Sequence, residues 1–208
     1  MMTIWGRLTS INVAKAVWAA RELGLQFERI DVGGPYGGLD TPEYGALNPN
    51  RRIPTLDDDG YILWESNSIV RYLAARYGAA GTLWPADPRA RGLSDRWLDW
   101  QATSFGPAMG PAFVGLVRTP EAQRNPQAIA SSVEQVGRLL LLLEGVFADG
   151  RTFIAGESFT MGDIAVGCAV DRWFLLPVER PETPALAAWH QRVASRPAAQ
   201  GILGQPLQ

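Results

Sequence analysis

Two short pairs, Ile53-Pro54 and Glu65-Ser66, with eleven positions from Pro54 to Glu65, offer binding chemistry through backbone and carboxylate groups rather than through a nucleophile. A proline one residue into the apolar run Arg52-Ile53-Pro54-Thr55-Leu56 cannot donate to a sheet ladder, so it belongs at an edge or a turn. That placement leaves the Ile53 N–H and C=O to pair with an extended ligand, and it admits a cis Ile53-Pro54 peptide. Glu65-Ser66-Asn67-Ser68 reads as the polar start of a helix running to about Tyr77. The unpaired N–H groups and positive dipole end of such a start suit a carboxylate. Presenting the Glu65 carboxylate and the Ser66 N–H to one ligand end predicts a positive φ at Glu65. Together the pairs describe a pocket for the backbone of a small anionic peptide. Singly, an edge proline or a capping Ser66 or Asn67 is commonplace; the information lies in the order strand, Pro, Asp57-Asp58-Asp59-Gly60 turn, strand, Glu-Ser, helix.

These pairs need a scaffold, and the chain supplies one in two parts. Thr3 to Trp5 reads as a short strand, Ile11 to Leu23 as a helix ending at Gly24, Phe27 to Val32 as a second strand, and Thr41-Pro42-Glu43 as the start of a short helix. Strand, helix, strand implies a parallel first pair; Tyr61 to Trp64 returns after the turn as a further strand. The glycines from Gly33 to Gly38 lack G-x-G-x-x-G spacing, which argues against a dinucleotide site. Gly78 to Pro88 reads as a linker, and the pattern beyond it is helical. Arg89 to Phe105 is one expected helix, interrupted by Gly106-Pro107 and Gly110-Pro111; Gln127 to Phe147 is another. Thr160 and Asp163 form a capping box in which Asp163 is structural, and its loss is expected to cost about 1–2 kcal/mol. The division is an α/β part over 1–79 and an all-α part over 88–208.

Composition narrows the chemistry. With 208 residues, 47% of them hydrophobic, the chain affords a large core, and a net charge of −2 gives no footprint for nucleic acid. No secretory pattern opens the chain, and apolar runs such as Leu139 to Leu143 are too short to span a bilayer, so a cytoplasmic protein without membrane partners is expected. One cysteine, Cys168, and one histidine, His190, exclude an intrachain disulfide and leave no zinc site or CxxC motif; no metal is expected. Cys168 lies in an apolar helix as inert packing, and His190 reads as structural. Thiol chemistry must then come with a ligand.

The sequence resembles the cytosolic glutathione S-transferase family, bacterial-like and of the serine/asparagine type, over nearly its whole length. The resemblance rests on Ser10-Ile11-Asn12-Val13, Asn48-Pro49-Asn50, Arg52-Ile53-Pro54, Trp64-Glu65-Ser66-Asn67-Ser68-Ile69, and Phe153-Ile154-Ala155-Gly156-Glu157 leading to Thr160 and Asp163. It implies a thioredoxin-like N-terminal domain that binds glutathione as co-substrate, and a helical domain completing a pocket for small hydrophobic electrophiles. It further implies that the Ile53-Pro54 peptide is cis, that Ile53, beside Pro54, pairs with the cysteinyl unit, that Glu65 and Ser66 hold the γ-glutamyl end, and that Arg52 approaches the glycyl carboxylate. Arg51 replaces an expected glycine and leaves open which arginine does so. Trp100, Phe105, Met109 and Phe113, with Ile202-Leu203, are candidates for the electrophile side. A homodimer is implied through the third and fourth helices, with Tyr72, Arg76, Arg96 and Trp97 as contributors.

The resemblance implies that thiol activation rests on Ser10, which matches the serine of the serine-type classes, or on Asn12, which matches the asparagine of bacterial disulfide-reducing relatives. No tyrosine or cysteine stands near the first helix start, and helix capping is the alternative for Ser10. A thiol of pKa about 8.5 is only about 3% thiolate at pH 7, and a depression of about two units makes it about three-quarters thiolate. One hydrogen bond to the anion supplies about 1.5–3 kcal/mol and the helix dipole about 0.3–1, enough for that shift without a general base. The expected function is conjugation of glutathione to hydrophobic electrophiles. The alternatives are a glutathione-dependent disulfide reductase using Asn12, and a non-catalytic binding protein of the same fold.

Overall fold

The computed structural model describes residues 1–78 and 83–208. Buried Met2 and Ile4 alternate with half-exposed neighbours and make β1 (Met2–Trp5) a strand with one face on the core. Helix α1 (Ile11–Glu22) carries the chain across to β2 (Phe27–Ile30), which pairs with β1 in parallel. A short α2 (Pro42–Leu47) starts at Thr41, whose hydroxyl accepts from the Tyr44 N–H. Then β3 (Thr55–Asp58) and β4 (Tyr61–Trp64) complete a mixed sheet in the order β2-β1-β3-β4, with β3 antiparallel to both neighbours. The hairpin closes on Asp59-Gly60 with φ of 54° and 91°, the positive pair that a two-residue turn needs. Helix α3 (Ser66–Tyr77) follows. The expected boundary at residue 79 lies outside the described residues.

The helical part contains α4 (Pro88–Trp100), α5 (Gly106–Phe113), α6 (Pro126–Phe147), α7 (Met161–Phe174) and α8 (Pro184–Ala194). The expected break at Gly106-Pro107 and Gly110-Pro111 does not occur. Wide turns over Gln101–Phe105 and Val114–Arg118 keep the chain helical from Pro88 to Arg118. Proline lacks an N–H and its ring crowds the carbonyl four residues back. Just before Pro107 the Gly106 N–H reaches the Gln101 carbonyl, five residues back, and the widened turn accommodates the ring without ending the helix.

Helix α7 is buried along nearly its whole length and joins the two parts. Trp18 of α1 packs on it at Gly167, where a Cβ would come within 3.1 Å of the indole ring, so the absence of a side chain there allows the close approach. Asp163 is fully buried and does more than complete a capping box. Its carboxylate accepts from Thr160 N–H and Ile154 N–H, both at 2.9 Å, from the Trp189 indole at 2.9 Å and from Thr160 Oγ1 at 3.2 Å. Burial raises its pKa to about 6 despite these donors. Trp97, expected on a subunit surface, is instead buried against Trp100.

Candidate active site

The turn before β3 is held rigidly from behind. Tyr44 OH and Asn48 Nδ2 both donate to the Arg52 carbonyl, at 2.7 and 2.9 Å, and both also meet Thr55 Oγ1. Ile53-Pro54 is cis, as expected from the sequence, and the Ile53 N–H and C=O make no hydrogen bond among the described residues. Pro54 is buried. Arg51 stands at φ 51° and spends its guanidinium on the Leu39 and Thr41 carbonyls, at 2.8 and 3.0 Å. Arg52 is exposed and makes no side-chain hydrogen bond among the described residues.

Ser10 is the N-cap residue of α1 by position, yet its side chain makes no capping bond, which removes the simplest structural account of it. The first-turn N–H groups have no acceptor inside the helix, and Ser10, Ile11 and Asn12 at this helix start all line a cavity. Two residues on, Asn12 Oδ1 accepts from Ser66 Oγ at 3.3 Å, linking the start of α1 to the start of α3. Glu65 has φ 71°, the expected positive value, and leaves its carboxylate exposed.

These residues line two lobes of one cleft. The first, of about 430 Å³, holds Ser10, Asn12, Arg52 and Ile53; the second, of about 570 Å³, holds Asn12, Glu65 and Ser66. Asn12, Ile11 and Met109 line both lobes. Met109 and Phe113 line the first lobe from the helical side, whereas Phe105 is buried in the core and Trp100 packs on it. Ile202 is buried and, with Leu203, lines a small cavity shared with Ile11 and Arg172 next to the first lobe; Gln208 also approaches the site, accepting from Thr9 Oγ1 at 3.0 Å and from Arg118.

Sequence reasoning passed over four cations at this cleft. Lys15 is buried behind the second lobe and donates at 2.9 Å to Asn67 Oδ1 and to Gln101 Oε1. Burial lowers its pKa to about 8, with Cys168 and Glu65 pulling the other way. Arg7, Arg118 and Arg172 line the first lobe. Burial lowers the Arg172 pKa to about 10, and burial followed by the nearby Arg118 lowers that of Arg7. The available signal was a lysine inside Val13-Ala14-Lys15-Ala16-Val17, a charge in an otherwise apolar helix segment. Cys168 is buried, with its thiol pushed up to about 12 by desolvation, and His190 pairs with Asp171 at 3.2 Å. Among the described residues no cluster of His, Cys, Asp and Glu is arranged to hold a metal, and no helix is long and apolar enough to cross a membrane.

The family model described as glutathione S-transferase, N-terminal domain, matches residues 1–75, and the corresponding C-terminal domain model matches residues 105–197. The chain belongs to the glutathione S-transferase family. This transferase is 37% identical to the glutathione S-transferase GstB of Escherichia coli strain K12, over 100% of both chains. It is 30% identical to the disulfide-bond oxidoreductase YfcG of the same strain, over 89% of this chain and 86% of that one. Among solved structures, the glutathione-bound theta class glutathione S-transferase of Xanthomonas axonopodis pv. citri superposes with a TM-score of 0.94 at 47% identity, covering 100% of this chain and 99% of that one.

Proposed function

We propose that this chain conjugates glutathione to small electrophiles with an apolar reacting portion by holding the glutathione sulfur as a thiolate. The observation that carries the reading is the uncapped Ser10 hydroxyl at the start of α1, in the lobe that also holds Ile53 and the apolar Met109 and Phe113. Ile53 pairs through its backbone with the cysteinyl unit. Glu65 takes the γ-glutamyl ammonium, and Ser66 takes the adjoining carboxylate. Arg52 takes the glycyl carboxylate, because Arg51 is engaged with two carbonyls.

The thiol proton leaves to solvent; Ser10 Oγ, or the Asn12 amide, then donates to the sulfur anion, assisted by the first-turn N–H groups of α1. Sulfur attacks the electrophilic carbon, forming a C–S bond as the leaving group departs with its electron pair. Glutathione binding by the structure from Xanthomonas axonopodis and the name of the Escherichia coli relative support this reading.

Disulfide reduction is the second reading, favoured by Asn12 in both lobes and by the likeness to YfcG. Parallel turnover with 1-chloro-2,4-dinitrobenzene and with hydroxyethyl disulfide tests both. Conjugation predominates on the first reading, disulfide reduction on the second, and glutathione binding with neither activity leaves a binding protein. We also propose a cytoplasmic homodimer joined through α3 and α4, with Tyr72 and Arg76 of α3 and Arg96 of α4 as contributors.

A further inference from the structure

The first lobe is more cationic than an apolar co-substrate requires. Arg7, Arg51, Arg52, Arg118 and Arg172 all line it, and no Asp or Glu does among the described residues, in a chain whose net charge is −2. Two of the five are accounted for by the Arg51 carbonyl contacts and by the proposed glycyl carboxylate at Arg52. Of the other three, two flank one aromatic ring and the third, Arg7, lines the same lobe. Arg118 and Arg172 each place the guanidinium carbon 4.9 Å from the centroid of Phe113. Arg172 Nη2 donates to the Thr9 carbonyl at 2.6 Å. Arg118 Nε and Nη2 donate to the backbone oxygen of Gln208, at 3.2 and 3.0 Å.

The Arg7 side chain makes no hydrogen bond among the described residues, although its Nε and Nη1 are buried. Its place is enforced by Gly34, at φ 59°, where a Cβ would come 2.5 Å from Arg7 Nε. Removing guanidinium N–H groups from water without acceptors is costly, and assembling like charges adds to that cost. A carboxylate offers two acceptor oxygens and a compensating charge, and matches the guanidinium fork.

We propose that the electrophile accepted beside the glutathione sulfur carries a carboxylate, read by Arg7, Arg118 and Arg172, while its reacting carbon lies against Met109 and Phe113. This deepens the conjugation reading and rests on it for the chemistry, though not for the binding of the anion. A fitting probe is 4-(chloromethyl)benzoate. Glutathione sulfur bonds to the benzylic carbon as the C–Cl bond breaks, and chloride leaves with the electron pair.

The test pairs this acid with its methyl ester in turnover. It also pairs S-(4-carboxybenzyl)glutathione with the corresponding methyl ester conjugate in calorimetric binding, which needs no catalysis. The carboxylate conjugate is expected to bind about 10-fold tighter or more, with the advantage shrinking as NaCl is raised. In Arg118→Gln and in Arg7→Gln the ratio of acid to ester is expected to fall toward one, in binding and in kcat/KM alike. Arg118 is exposed, so its replacement leaves the core intact. Equal or weaker binding of the carboxylate conjugate overturns the proposal, as does a preference that survives both substitutions. Tight carboxylate binding without conversion of either chloride supports the anion site and defeats the conjugation reading; conversion of both chlorides without a carboxylate preference does the reverse.

Discussion

Lys15 Nζ donates to Gln101 Oε1 at 2.9 Å across the junction between α1 and the first wide turn of the helical part. Its second bond, to Asn67 Oδ1, places the same ammonium under the start of α3. Lys15→Met keeps the bulk of the side chain but leaves two buried acceptors unpaired, so the KM for glutathione is expected to rise several-fold as the α3 start loosens.

A pH signature separates this role from simple packing. The folded Lys15 pKa of about 8 lies below the ordinary 10.5, so between these values the unfolded chain binds the proton more tightly than the folded one. Stability therefore gains from this group as pH rises from 8 to 10.5. Urea unfolding should show the wild type gaining about 2–3 kcal/mol relative to Lys15→Met between pH 7 and pH 10. A constant difference across that range would mean that the lysine is not a buried cation.

Ser10→Ala is expected to raise the pKa of bound glutathione by about one to two units and to slow conjugation at pH 7 by about 10- to 100-fold, with glutathione affinity little changed. Asn12→Ala is expected to do less to the sulfur and to weaken the link to Ser66. Thiolate absorbance titrated against pH in both variants measures the division of work. A large shift confined to Asn12→Ala would move the donor role to that residue and strengthen the disulfide-reductase reading.

Arg52→Ala is expected to raise the KM for glutathione about 10-fold through loss of a charge-assisted contact to the glycyl carboxylate. Arg51→Gly should raise it less than about threefold, since glycine suits φ 51° and Arg51 is occupied by the Leu39 and Thr41 carbonyls. The reverse order in steady-state kinetics would exchange their roles.

For Asp163→Ala the structure raises the expected cost above the capping value of about 1–2 kcal/mol. The substitution would leave the Ile154 N–H, the Thr160 N–H and the Trp189 indole unpaired in a fully buried place. At about 1–3 kcal/mol for each such group, a loss above about 3 kcal/mol is expected, measured by denaturant unfolding. Glutathione affinity of the folded fraction should stay near normal. Weakened affinity with unchanged stability would assign Asp163 to the ligand site.

Much of the site was legible because it is local. The cis Ile53-Pro54 turn and the positive φ at Glu65 sit in two short motifs, Arg52-Ile53-Pro54 and Trp64-Glu65-Ser66, that can be read within a few positions, although neither conformation is the ordinary preference of its residues. The π turns around α5 were not legible. Pro107 and Pro111 signal a helix break locally, whereas the alternative of widening the turn and packing α5 on α6 is decided by neighbours distant in sequence. Trp97 was misplaced for a related reason, since a large apolar side chain fits a core and a subunit interface equally well.

The sequence alone determined the strand and helix order, the glutathione-shaped motif set and the exclusion of disulfide and Cys/His metal chemistry, because these depend on short-range geometry and on which residue types exist. Tertiary structure decided what the cations do. Arg7, Arg118 and Arg172 are far apart in the chain and meet only when α1, α5 and α7 assemble, and Lys15 becomes a buried tie only when Gln101 arrives from the other half. A charge acquires its meaning from its distance to other charges and to water, and folding alone sets both distances.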